Sequence, residues 1–176
     1  NHIPMFDNMY AKRLKAYKQI GYELACGLQI GKQTVNAIYD WDNYSTYYHK
    51  DLLGANNNII ISSPVISGPK VYDLINLLKE KQMSGVQITI VTWAPDSYRF
   101  GDAAYWMQLN EDMRQAGFYI KTVEESCERF AVIDQEVVWY GNINLLAKDK
   151  VDDSIMRALS KEIASELMEI TFGDNG

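Results

Sequence analysis

Histidine and cysteine are nearly missing from this 176-residue chain, and each scarcity closes off a class of function. Two cysteines, Cys26 and Cys127, cannot build a disulfide framework, which fits a reducing, cytoplasmic compartment. With only His2 and His49 beside them, a Cys–His zinc site is excluded as well, and neither metal nor cofactor is expected. No apolar run approaches the length of a membrane-spanning helix, and no secretion signal is visible. Two histidines also leave little room for histidine-based catalysis. Basic residues are the minority, 17 against 23 acidic, for a net charge of −6. What is present in quantity is ordinary core material: 47% hydrophobic residues, enough for one domain with a sizeable interior.

The charge is unevenly spread. Residues 1–36 carry Lys12, Arg13, Lys15, Lys18 and Lys32 against Asp7 and Glu23, a local +3 that leaves −9 for the remainder. A protein that binds phosphate backbones shows a basic footprint. Here only Lys12, Arg13, Lys15 and Lys18 offer one, as a contact to DNA or RNA. The plainer reading of four cations on one helix is a solvated face. The first residue is Asn rather than Met, so the expectation is a piece of a longer protein.

Along the chain, Tyr10, Leu14, Tyr17, Gly21 and Leu24 fall at helical spacing and predict an amphipathic helix over roughly residues 6–26. A short strand follows at Val35–Tyr39. A helix capped by Asp42 or Asn43 runs to about Ala55. Ile59–Ile61 reads as a buried strand, Pro69 to Met83 as a helix closed by Gly85, and Val86–Val91 as the next strand. Asp102–Ala116 is helical, ended by Gly117, and Phe118–Thr122 is a strand. Ser126–Ile133 and Val137–Tyr140 form two more around an Asp134–Gln135 turn. A last helix is expected from Asp153 to Ile170, with Ile155, Leu159, Ile163 and Leu167 on one face. Alternating strands and helices predict an α/β domain. The sheet is expected to be mixed but mostly parallel, with helices on both faces. The N-terminal helix and linker occupy residues 1–34, and the domain residues 35–176.

The most informative stretch is Cys127-Glu128-Arg129-Phe130-Ala131-Val132-Ile133-Asp134, followed by Val137-Val138-Trp139-Tyr140-Gly141-Asn142-Ile143-Asn144. It resembles the signature of the phospholipase D superfamily: His, any residue, Lys, four residues, Asp, six residues, Gly, Ser or Gly, any residue, Asn. The spacing is kept at every step. Asp134, Gly141 and Asn144 match; Cys127 stands in the His position, Arg129 in the Lys position, and Asn142 where Ser or Gly is usual. Asp153-Ser154-Ile155-Met156-Arg157 and Glu162-Ile163-Ala164 resemble a bacterial subgroup attached to helicase-like proteins. The resemblance covers roughly residues 35–170.

It implies a phosphodiesterase fold. In the family the His attacks phosphorus, Lys and Asn donate to the phosphoryl oxygens, and a second motif supplies a His as general acid. One motif per chain therefore implies a C2 homodimer. The contiguous Tyr48-His49-Lys50-Asp51 has the wrong spacing, and His49 reads as a surface or half-buried helix residue. Arg129 keeps the charge and suits bidentate phosphate binding. Cys127 is either an inert replacement or a thiolate nucleophile; the first is favoured, because no histidine acid accompanies it and Glu128 opposes a thiolate. Phosphate binding then falls to Arg129, Asn142 and Asn144. Asp134 reads as a turn residue, Gly141 as motif support and Asp153 as a helix N-cap.

Two further features invite attention. Tyr39, Trp41, Tyr44, Tyr47 and Tyr48 could stack bases, but helical spacing favours packing. Arg99, Arg114, Trp93 and Trp106 lie on or near the loop after a parallel strand, where α/β sheets place ligands. The leading expectation is a degenerate phosphate-binding accessory module of a nucleic-acid-processing protein. Its rivals are a structural or dimerisation module, an active nuclease using Cys127 and, least supported, a lipid-cleaving phospholipase.

Overall fold

Three consecutive isoleucines are buried, so the strand that carries them needs a cover on each face. Ile59 and Ile61 enter one apolar cluster and Ile60 the other. The computed structural model describes residues 37–98, 101–148 and 153–173. The amphipathic helix expected at 6–26, its four cations, and the boundary near residue 34 lie outside the described residues.

The elements are β1 (Ala37–Asp40), α1 (Tyr44–Gly54), β2 (Asn58–Ser62), α2 (Gly68–Met83), β3 (Gln87–Trp93), α3 (Ala103–Gln115), β4 (Tyr119–Val123), β5 (Phe130–Ile133), β6 (Val137–Gly141), β7 (Ser154–Leu159) and α4 (Lys161–Phe172). Local chemistry accounts for several ends. Pro69 sits in the first turn of α2, where its missing N–H costs nothing. Asp102 caps α3 by accepting from the Ala104 N–H at 2.9 Å. Gly85 and Gly117, at φ +96° and +88°, end α2 and α3 in the left-handed region.

The seven strands form one sheet in the order β1-β7-β6-β5-β2-β3-β4. Five of the seven run in one direction; β5 and β7 are reversed. Because the reversed strands are inserted between the others, only two of the six pairings, β2–β3 and β3–β4, are parallel. The α/β architecture and mixed sheet are as expected, and the parallel majority holds for strand direction but not for hydrogen-bonded pairs. On one face Ile59, Ile61, Ile88, Ile90, Ala131 and Ile133 pack against α1, α2 and α3. On the other, Ile60, Val91, Phe130, Val132 and Val138 meet Ala164 and Leu167 of α4.

The C-terminal region corrects one expectation. Ser154–Leu159 is a strand rather than the first half of a helix, and it lies between β1 and β6. Pairing on both sides satisfies backbone groups that a helix there would have left open on two strands. Arg157 adds to this. Its Nε and Nη2 donate to the Asp51 carboxylate at 2.6 and 3.0 Å, and Trp139 Nε1 donates to the same carboxylate at 2.9 Å. The supposed four-residue stripe is therefore split: Ile155 is buried on the three-helix side, Leu159 is exposed, and only Ile163 and Leu167 belong to α4. Asp153 is not a helix cap. It precedes β7, where its carbonyl accepts from Trp41 N at 3.1 Å. Ser160 caps α4, its Oγ accepting from Ile163 N at 3.2 Å.

Candidate phosphate site at the strand ends

β2 and β6 run the same way and β5 opposes both, so the ends of β2 and β6 meet the start of β5. Cys127 and Arg129 sit in the irregular segment that enters β5, which begins only at Phe130 and not at the expected Ser126. Cys127 is half-buried against the α4-side cluster. Its Sγ lies 3.4 Å from Ser62 Oγ and 3.9 Å from the Val91 carbonyl. Burial pushes the Cys127 thiol up; the Ser62 hydroxyl and the Arg129 charge pull against this, and Glu128 adds to the rise. Arg129 turns to the other landmark of the motif: its Nε donates to Asn144 Oδ1 at 3.0 Å.

The remaining motif residues serve the backbone. Asp134 lies at the far end of β5, in a turn where it and Gln135 have φ of +51° and +56°. Its carboxylate accepts from the N–H groups of Asn56, Asn57 and Asn58 at 2.9, 2.7 and 3.0 Å. Gly141 pairs with Ile155 so closely that a Cβ would stand 2.4 Å from the Ser154 carbonyl oxygen. Asn142 is exposed, and its Oδ1 is already taken by Ser154 N at 2.9 Å.

By sequence, no family model and no curated protein matches the chain. By structure, it resembles Nuc from Salmonella typhimurium, a phospholipase D family member, at TM-score 0.59 and 14% identity, covering 77% of this chain and 91% of that one. NucT from Helicobacter pylori aligns at TM-score 0.55 and 11% identity over the same shares. The chain has a phospholipase D-like fold. TrmBL2, an archaeal chromatin protein with a described mode of DNA binding, aligns at TM-score 0.55 and 10% identity, covering 95% of this chain and 60% of that one.

On this phospholipase D-like frame the site is sparse. Arg129 Nη1 and Nη2 have no partner among the described residues, so the guanidinium is anchored at Nε with its outer nitrogens open. Among the described residues no three His, Cys, Asp or Glu side chains converge to hold a metal ion. Two participants were not readable from the motif. Ser62 is buried and donates to the Glu128 carbonyl at 2.6 Å, tying the entry to β5 onto the end of β2. Tyr140 Oη donates to Glu128 Oε2 at 3.1 Å, holding a carboxylate close by. Only the small polar residue ending a buried strand hinted at Ser62.

The other candidates divide: Trp41 and Tyr47 are exposed, and the remaining aromatics pack. Tyr39, Tyr44 and Tyr48 are buried, with Tyr39 and Tyr48 centred 5.2 and 5.5 Å from the Trp139 ring. Tyr98 stacks on Trp106 at 4.0 Å, with Trp93 edge-on to Tyr98. Arg114 is exposed beside Glu111, and Arg99 lies outside the described residues. His49 is exposed on α1. Among the described residues no helix is long and apolar enough to cross a membrane.

Proposed function

We propose that this chain is a degenerate phospholipase D-like domain that holds a phosphoryl group and hydrolyses phosphodiesters poorly or not at all. It acts as a homodimeric accessory module of a larger, helicase-like protein that processes nucleic acid in the bacterial cytoplasm. The observation that carries the reading is the contrast between Arg129 and Cys127. Arg129 is anchored by Asn144 with its outer nitrogens open, the geometry of a fork-shaped anion donor. Cys127 occupies the nucleophile position as a neutral, half-buried thiol. A thiol attacking phosphorus must lose its proton, and the departing oxygen must gain one. Burial and Glu128 oppose the first, and no histidine stands ready for the second among the described residues. Asn144 supports the clamp directly; Asn142, with Oδ1 occupied, contributes only its Nδ2.

The nucleic-acid assignment draws on TrmBL2, whose described structure binds DNA, and on the cations Lys12, Arg13, Lys15 and Lys18. The −9 charge of the remainder works against a polyanion, so those four residues supply the contact. The test is turnover of bis(p-nitrophenyl) phosphate by the wild type and by Cys127→Ala. Equal rates near background are expected. Wild-type turnover well above the variant would instead identify an active thiol enzyme. Calorimetry with inorganic phosphate should show binding that Arg129→Ala removes. No heat from either protein would leave a structural or dimerisation module, and a strictly monomeric solution mass would remove the composite site.

A further inference from the structure

Beside Cys127 the surface opens into a groove of about 400 Å³ between the end of β3, the end of β4 and the last turn of α4. Its floor is apolar, formed by Val91 and Val123, and Ile170 stands at the rim 68% exposed. Three carboxylates, Glu124, Glu125 and Glu128, edge it. The one cation among the described lining residues, Lys121, is spent on the α4 end: its Nζ donates to the Thr171 carbonyl and lies over the Phe172 ring. A groove with an apolar floor and an acidic rim fits a segment with an apolar stripe flanked by cations.

The chain carries such a segment. Residues 6–26 place Tyr10, Leu14, Tyr17 and Leu24 at helical spacing, with Lys12, Arg13, Lys15 and Lys18 between them. We propose that this basic leader docks in the groove beside Cys127, its stripe on the apolar floor and its cations against Glu124, Glu125 and Glu128. The tether is long enough. β1 and β3 lie five places apart in the sheet, about 24 Å across it, and because they run the same way the leader joins β1 at the opposite end from the groove, which adds the length of a strand, about 20 Å. Lys18 precedes Ala37 by 19 residues, a reach of up to about 60 Å when extended. Charge complementarity gives the direction: a +3 leader and a −9 remainder attract each other, and docking partly neutralises the end of the sheet that a phosphate must approach. The inference stands on the groove and the charges and does not depend on phosphate binding; nucleic acid that takes the same four cations competes with the docked leader.

Cys127 reports on occupancy. In a Cys26→Ser protein it is the sole thiol. The uncharged reagent N-ethylmaleimide is used, and rates are compared at the plateau of the pH profile, where they report access and not the thiol pKa. Replacing Lys12, Arg13, Lys15 and Lys18 by Gln should raise the plateau rate about tenfold at low salt. Near 1 M salt, with a screening length of about 3 Å, that gap should nearly close. A leader with those four residues changed to Glu, combined with Glu124→Lys and Glu125→Lys, should restore slow labelling. Equal plateau rates for the native and neutralised leaders would overturn the proposal. Protection that fades on dilution would overturn it too, since the occupant would then be the leader of a second copy.

Discussion

At one end of β5 stands Asp134, at the other Cys127 and Arg129, and the two ends differ in how fully each residue is used. The Asp134 carboxylate takes three backbone N–H groups within 3.0 Å and joins the β5–β6 turn to the start of β2. Gly141 and Asn142 are engaged to the same degree, one by a close backbone approach and the other by Ser154. At the opposite end Cys127 has a weak contact to Ser62, and Arg129 has one bond to Asn144. The positions that match the family pattern outright and hold backbone are Asp134 and Gly141. Cys127 and Arg129, where the resembled pattern has His and Lys, are the lightly held ones. The comparison teaches that one strand can carry two duties, with side chains committed to backbone support at one end and a lightly held thiol and guanidinium at the other.

The comparison breaks most severely at Gly141. An added Cβ would meet the Ser154 carbonyl oxygen at 2.4 Å and Ile155 Cα at 2.7 Å, both backbone atoms of a strand paired on two sides. Neither can rotate away, so Gly141→Ala should cost about 3 kcal/mol through forced separation of β6 and β7. A shift of the urea midpoint reads it, and a loss under 0.5 kcal/mol would mean that β7 adjusts freely. Next comes Asp134. Burial alone would raise its pKa, but three N–H donors and the Lys81 charge outweigh this and hold Asp134 below the usual aspartate range. Its contribution is therefore complete above the unfolded aspartate pKa of about 3.9 and is lost as the pH falls through the lower folded value. Asp134→Asn should flatten stability against pH in that acid window. At pH 7, Asp134→Ala should cost about 1–2 kcal/mol, discounted because the freed Asn56 and Asn57 N–H groups are exposed and rehydrate.

These two positions also show what was legible beforehand. The layering followed from Ile59–Ile61, the helix ends and turns from Pro69, Gly85, Gly117 and Asp134, and the aromatic packing from the spacing of Tyr44 and Tyr48. Each is a local signal, readable without knowing its partner. The Ser154–Leu159 strand was not legible. Its Ile155–Leu159 spacing imitates a helix, and its true state depends on β1, more than 100 residues earlier, and on the Asp51 carboxylate that receives Arg157. The candidate site divides in the same way. Cys127, Arg129 and Asn144 were found by spacing, whereas Ser62 was missed because a lone serine after three isoleucines carries no pattern of its own. Only the antiparallel pairing of β2 with β5 brings it to the Glu128 carbonyl.

Ser62 and Arg129 sharpen the comparison from the sparse end. Ser62→Ala removes a buried donor from the Glu128 carbonyl and should cost about 1 kcal/mol, checked by thermal or urea unfolding. Arg129→Ala carries the smallest expected effect on stability, under about 0.5 kcal/mol, since the side chain gives up a single hydrogen bond and no ion pair. Its effect on anion binding should be disproportionate. The guanidinium supplies the open donors of the clamp, and without it the Glu125 and Glu128 carboxylates lining the adjoining groove repel phosphate. Inorganic phosphate binding should fall at least tenfold in Arg129→Ala while the urea midpoint stays put, and Arg129→Lys should recover part of it as a point charge without the fork. If the midpoint fell as far as in Asp134→Ala, Arg129 would belong with the scaffolding residues, and the division between the two ends of β5 would fail at the residue chosen to test it.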